Sequence, residues 1–346
     1  MIRTQDCDQV SMSYFRKLFF AFMPVLTTGM IFISCNQEKN LSPEEGLKAI
    51  KVLNSDLINL SDGISGNLAF GGLKYLLEEP TSPLSTQNGL AGKWLNDSIT
   101  SMVPFTGKYT WNENKFERIA ASDIIDINFQ IPGTTDNSAN FTVTGFECRR
   151  MLSSLCFPME IKASMLNHDE EILVISGNSA FMDDLPGKID FTLKGEEFEG
   201  AVKAERTRED DRGTLDIELE FNVRGFDIIK GSIHAQIGYS GKQVFFRTYE
   251  PDVRVFDVKI AGKLDYGKVD PTSKDYVKSF NDNCHIGFYD SGSDKKIGDF
   301  GIGALENGEL LGWVLFLSDG KPLFLEEQLL IVEKLLNYKL PNKVSP

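Results

Sequence analysis

The stretch "GTLDIELEFNV", residues 213–223, sets Leu215, Ile217, Leu219, Phe221 and Val223 against Asp216, Glu218, Glu220 and Asn222 in strict alternation. A period of two puts the apolar set on one face of a strand and the polar set on the other. A helix would scatter the same residues around its axis. A strand with one wet face is the habit of antiparallel sheets. The pattern recurs in "GKIDFTLKG" with Ile189, Phe191 and Leu193, and in "KGSIHAQIGY" with Ile233, Ala235, Ile237 and Tyr239. Further strands are expected at 123–131, 140–146, 159–166, 172–176, 198–204, 244–248 and 253–260. Turn-prone residues separate them at intervals of roughly eight to fourteen. A flat sheet of that many strands tends to curl or split.

Other segments carry the helical period. "LSPEEGLKAIKVLNSDLINL" from Leu41 offers Ser42 as cap, Pro43 at the first helical position and Glu45 three residues after the cap. Leu47, Ile50, Leu53, Leu57 and Leu60 then form one apolar face. A second helix is expected from about Asp62 to Glu79, weakened by its glycines and ended by Pro80. A short helical turn is expected near Trp94. After Asp270-Pro271, Asn307-Gly308 and Asp319-Gly320 mark hairpin turns, and Leu325, Leu329, Ile331 and Leu335 read as a closing helix. The expected fold class is therefore α+β and mostly antiparallel β. It is a large curved meandering sheet or partial barrel, with an N-terminal helical hairpin and a C-terminal helix. The segments are 42–105 for the helical hairpin and an irregular stretch, 106–270 for the antiparallel region, and 271–346 for the last hairpins and helix. A single core stops growing at about 250–300 residues, so one large domain with appendages or two domains are expected.

The N-terminus carries an address. No residue from Leu18 to Ser34 is charged, and Arg16 and Lys17 stand immediately before the run. A spanning helix needs about 20 apolar residues, so an uncleaved anchor is disfavoured and a cleaved export signal is expected. Starting at Met12 rather than Met1 gives that signal a compact basic lead. Its end, Phe32-Ile33-Ser34-Cys35, resembles the lipobox of bacterial lipoproteins, with Phe32 where leucine is usual. That resemblance implies loss of residues 1–34 and attachment of acyl chains such as palmitate to Cys35. Residues 35–41 then form the lipidated cysteine and a short tether. One acyl chain binds a bilayer only marginally, whereas two or three anchor durably.

Charge narrows the partners. A net charge of −14 argues against nucleic acid, whose binders cluster Lys and Arg. It also disfavours adhesion to anionic lipid by charge, which leaves membrane attachment to the lipid anchor. Of five cysteines, Cys7 belongs to the signal and Cys35 is the lipid site. Cys148 and Cys156 are a candidate disulfide closing a hairpin, or buried free thiols together with Cys284.

The chain offers no catalytic motif: G-x-S-x-G, H-E-x-x-H and G-x-x-x-x-G-K-[ST] are all missing. His168 lies in a polar turn, His234 on the outward side of its strand, and His285 next to Cys284 without the further ligands a zinc site needs. "YDSGSDKK", with Asp290 and Asp294, lacks the order of a calcium loop and reads as a solvated turn. Glu205, Glu209, Asp210 and Asp211 could pair as glycosidase carboxylates. The interleaved Arg206, Arg208 and Arg212 instead suggest a self-neutralising hairpin tip. Trp94, Trp111 and Trp313 are expected in half-buried packing rather than on a sugar. No catalytic residue, cofactor or metal is assigned.

Ser34-Cys35-Asn36, "GKYTWNENKFERI", "IIDINFQIP", the run of alternating strands and "LSDGKPLFLEEQL" together resemble uncharacterised β-rich cell-envelope lipoproteins of the Bacteroidota type. The resemblance implies a cell-envelope lipoprotein, at the outer membrane and on either its periplasmic or its surface face, and it adds no catalytic residue. Three jobs remain. The first is a binding or structural protein of the envelope, acting on another macromolecule. The second is a carrier or holder of an apolar ligand such as lipid within a curved β-sheet. The third is a glycan-binding or glycan-cleaving surface protein.

Overall fold

Ser42 starts the first helix through reciprocal bonds with Glu45. The Ser42 amide donates to Glu45 Oε2 at 2.9 Å, and the Glu45 amide donates to Ser42 Oγ at 3.3 Å. Two otherwise orphan donors are thereby satisfied. Hydrogen bonds from the Ser42 amide and then its hydroxyl hold the Glu45 carboxyl below its usual range. In the computed structural model the described residues are 40–95, 99–134, 137–150, 156–240, 243–273, 275–304 and 311–328. The expected signal segment 1–34, Cys35, the tether up to residue 39, the Asn307-Gly308 turn and the closing helix beyond Gln328 lie outside them.

Helix α1 (Pro43–Ser65) runs further than its first apolar face indicates, through Gly63 in an exposed last turn. The break falls at Gly66–Asn67 rather than near Asp62, because Asn67 supplies the next cap. Its side chain accepts from the Ala69 amide at 2.9 Å and opens α2 (Leu68–Glu78). The turn expected near Trp94 is α3 (Leu90–Leu95). The described residues divide into two compact units, one made of Ser61–Arg206 with Leu219–Phe226, the other of residues 40–60, Thr207–Glu218 and 227–328.

The first unit is mostly sheet. Its strands are β1 (Gly107–Asn112), β2 (Lys115–Ala120), β3 (Ile125–Gln130), β4 (Ser138–Arg150), β5 (Cys156–Asn167), β6 (Glu170–Met182), β7 (Leu185–Gly195) and β8 (Phe198–Arg206). β1 lies between β2, antiparallel, and β3, parallel. From β3 to β8 every strand pairs antiparallel with its successor, which is a meander. Register shifts in β4, β5 and β7 mark bulges, each of which bends its strand locally. Two-residue turns at His168-Asp169 and Asp183-Asp184 hold all four residues at positive φ, the twist tight hairpins require. Helix α2 buries Ala69, Gly72 and Leu76. A Cβ at Gly72 would stand 3.1 Å from Met165 Sδ, so glycine lets the helix backbone approach the sheet there. Phe70 packs on Phe198 with ring centroids 4.7 Å apart, and Tyr75 stacks on Phe129 at 6.1 Å. Ile125, Ile127, Phe129, Phe141, Met165 and Leu173 complete this core.

Strand β9 (Arg212–Val223) is the 213–223 alternation seen in sequence. The second unit holds most of β10 (Phe226–Ser240), then β11 (Gln243–Val255), β12 (Val258–Ala261), β13 (Leu264–Asp265), β14 (Gly287–Asp290), β15 (Lys295–Ala304), β16 (Leu311–Phe316) and β17 (Pro322–Phe324). β10 pairs with β11, β11 with β12 and β13, and β12 with β14; β14 to β17 then form a second antiparallel meander. The single strand expected over 253–260 is two, because Phe256 adopts φ 51° and turns the chain between β11 and β12. Helix α4 (Tyr276–Asp282) buries Phe280, and α5 (Leu325–Gln328) is a single helical turn. Within this unit α1 buries Ile50 and Leu53 and crosses β15 closely, a Cβ at Gly46 falling 3.1 Å from the Ile297 carbonyl oxygen.

The fold is thus mostly antiparallel β with an N-terminal helical part. Leu76→Ala, at a wholly buried site, is expected to lower the unfolding free energy of the first unit by about 2–5 kcal/mol, read as a fall in denaturant midpoint at constant slope.

Candidate apolar binding face

Side chains directly opposite each other in an antiparallel pair share a face. Ile175 stands opposite Leu193, Gly177 opposite Phe191, Ser179 opposite Ile189, and Phe191 opposite Val202 on its other side. One face of β6–β8 therefore carries Ile175, Ile189, Phe191, Leu193 and Val202. The reverse face carries Ser176, Asn178, Lys188, Asp190, Thr192, Lys194, Lys203 and Glu205 in matching register. The five apolar residues are half-buried, unlike the dry core beside them, where Leu173 and Met165 are fully enclosed.

Glycine shapes this face at one place. A Cβ on Gly177 would collide with the Phe191 ring, so the ring lies flat over the strand opposite. Phe191 also meets Phe157 at 6.4 Å, and Phe157 meets Phe181 at 6.2 Å, both edge to face. The Arg149 guanidinium sits 5.0 Å from the centre of the Phe181 ring and pairs with Asp184 at 3.0 Å. A row of aromatic rings thus ends in a cation. The arrangement offers dispersion and hydrophobic burial along the strands and a polar contact at one end.

Arg206 fixes the neighbouring turn. The sequence reading placed it in a solvated tip, but it is only 8 % exposed. Its guanidinium donates to the carbonyls of Pro186, at 3.0 Å, and of Met182 and Leu185. Those carbonyls flank the strained Asp183-Asp184 turn, and an arginine can supply five donors to such a cluster. The rest of the tip is as expected: Glu209 and Arg212 close it by exchanging backbone hydrogen bonds.

The remaining candidates disperse. Cys148 and Cys156 are joined as a disulfide between β4 and β5, their Cα atoms 5.6 Å apart. Cys284 is a buried thiol outside any disulfide that donates to the Phe300 carbonyl at 3.4 Å, and burial pushes its pKa far above the ordinary range, which suits packing rather than chemistry. His168 sits in its turn at φ 49°. His234 Nδ1 meets Asp216 Oδ1 at 2.6 Å on the exposed side of the sheet. Asp290 accepts from the Ser293 amide at 2.9 Å and so closes its own turn. Trp94 donates to the Cys156 carbonyl at 2.9 Å, Trp111 packs on Tyr75 and Phe116, and Trp313 stacks on Phe300. Among the described residues no cluster of three or more His, Cys, Asp or Glu could hold a metal ion, and no helix is long and apolar enough to cross a membrane.

Comparison with protein-family models, with curated proteins and with solved structures finds no match for this chain.

Replacing Arg206 by alanine takes charged donors from the part-buried Met182, Leu185 and Pro186 carbonyls, a hydrogen bond of this kind being worth about 1.5–3 kcal/mol. Arg206→Ala is expected to speed hydrogen exchange across the 182–186 turn before it changes exchange in β3 and β4.

Proposed function

We propose that this protein is an exported lipoprotein of a bacterial cell envelope, held by acyl chains on Cys35, that works by binding rather than by catalysis. Its ligand is an apolar molecule such as a lipid, taken on the face of β6–β8. The observation that carries this reading is the half-buried apolar row of Ile175, Ile189, Phe191, Leu193 and Val202 on a sheet whose reverse face is polar. Half-buried apolar area on an element continuous with a dry core is where an apolar ligand gains most from leaving water. The gain is about 25 cal/mol for each Å² covered. The anchor rests on the uncharged run from Leu18 and the residues Phe32 to Cys35. An outer-membrane position follows from the envelope-lipoprotein resemblance.

Two measurements test this. Lipid extraction and mass spectrometry of the purified chain are expected to find a stoichiometric apolar species. Phe191→Asp is expected to weaken binding of a fluorescent fatty-acid probe about tenfold, since it sets a charge among rings. A chain that carries no lipid and binds no probe sinks the ligand reading. Labelled palmitate is expected to enter the wild-type protein in cells and to be lost from Cys35→Ala, and equal labelling of both would remove the anchor.

A further inference from the structure

Leu41, just before helix α1, is held at both its amide and its carbonyl. The amide donates to the Lys296 carbonyl at 2.8 Å, and the carbonyl accepts from Ser318 Oγ at 2.8 Å. Asn40 adds a parallel bridge to Lys296. Strand β16 pairs with β15 over Asp299–Ala304, so this bridge lies beyond the last β16 pair, at the start of β15. The chain that leads back to Cys35 therefore leaves the second unit from a fixed point.

Three turns gather at the same end of this sheet. The β14–β15 turn follows Asp290, which pairs with Lys295. The β11–β12 turn meets it, the Ser291 amide donating to the Asp257 carbonyl at 2.7 Å. The β16–β17 turn carries Ser318 and is closed by the Leu317 amide, which donates to the Lys321 carbonyl at 3.1 Å. Gly292, Ser293, Asp294, Ser318, Asp319 and Gly320 are exposed on these turns. They make a polar surface of small side chains.

Chain length then decides which way the unit stands. Cys35 precedes Asn40 by five residues. Fully extended, such a stretch spans at most about 18 Å. The path along β15 from Lys296 to Ile302, where Asn281 ties α4 down, is about 20 Å. A cysteine held in the bilayer cannot reach round to that far end. We propose that the end of the second unit bearing the 291–294 and 318–320 turns faces the lipid headgroups, and that the docking of Asn40 and Leu41 sets this orientation. The turns offer nothing apolar to the acyl layer, so the contact stays at headgroup level and the acyl chains supply the affinity. This inference rests on the acyl anchor proposed for Cys35 and is independent of the ligand face of β6–β8.

The test uses the acylated protein purified from cells and reconstituted in phosphatidylethanolamine–phosphatidylglycerol vesicles whose headgroups carry an energy-transfer acceptor. A donor dye is placed at Gly292→Cys, where a Cβ meets only Asp290 Oδ2 at 3.7 Å, or at Lys278→Cys on the exposed side of α4. Cys148 and Cys156 are bridged and Cys284 is buried, so the added cysteine is the one that labels. Transfer at 292 is expected to be about twofold that at 278, for sites separated by about 20 Å along β15. Inserting about twenty Gly and Ser residues after Gln37 adds a mean span of about 25 Å and is expected to bring transfer at 292 down to the level at 278. Equal transfer at the two sites before the insertion, or a difference that the insertion leaves unchanged, overturns the orientation alone. A protein that fails to float with the vesicles removes the anchor and this proposal together.

Discussion

A slip of one residue between β6 and β7 would move Phe191 off Gly177 and put Lys188, Asp190 and Thr192 where Ile189 and Leu193 now stand. Register is therefore the constraint on which the first unit rests. It is held from both ends. The Asp183-Asp184 turn permits one offset, and Arg206 ties the carbonyls around that turn. At the other end Phe198 is held by Phe70 of α2, and Met165 and Phe129 meet the same helix at Gly72. The wet face and the apolar face stay separate because the pairing cannot shift.

The two clamps differ in kind. Helix α2 works by excluding water, and its contribution scales with the apolar area it covers. Arg206 works by donating to three part-buried carbonyls, and its contribution appears mainly when it is removed. The rings that lie between them, Phe157, Phe181 and Phe191, touch edge to face rather than filling a dry interior. That packing is intermediate between a dry core and a bare surface.

Alternation made most strands legible, because one buried and one wet face leave a period of two in the residues themselves. The cap at Ser42 was equally legible, since the chemistry is local and its partners are three residues apart. Two things were not. Phe256 at φ 51° is a conformation that phenylalanine gives no warning of, so the end of β11 and β12 read as one strand over 253–260. Arg206 looked like its neighbours Arg208 and Arg212, and only the fold turns it inward to carbonyls some twenty residues upstream. The apolar face was half visible. Ile189, Phe191 and Leu193 announced an apolar side, but the partner that leaves Phe191 room, Gly177, is set by pairing rather than by spacing.

Helix α1 belongs with β15, a strand that begins some two hundred and thirty residues after the helix ends. A chain made from its N-terminus therefore releases an amphipathic helix long before the surface meant for Ile50 and Leu53 exists. Closing so long a loop is entropically slow, and contacts of this span delay folding. The first unit can zip hairpin by hairpin during that wait, while the apolar face of α1 still lacks the strand it packs on.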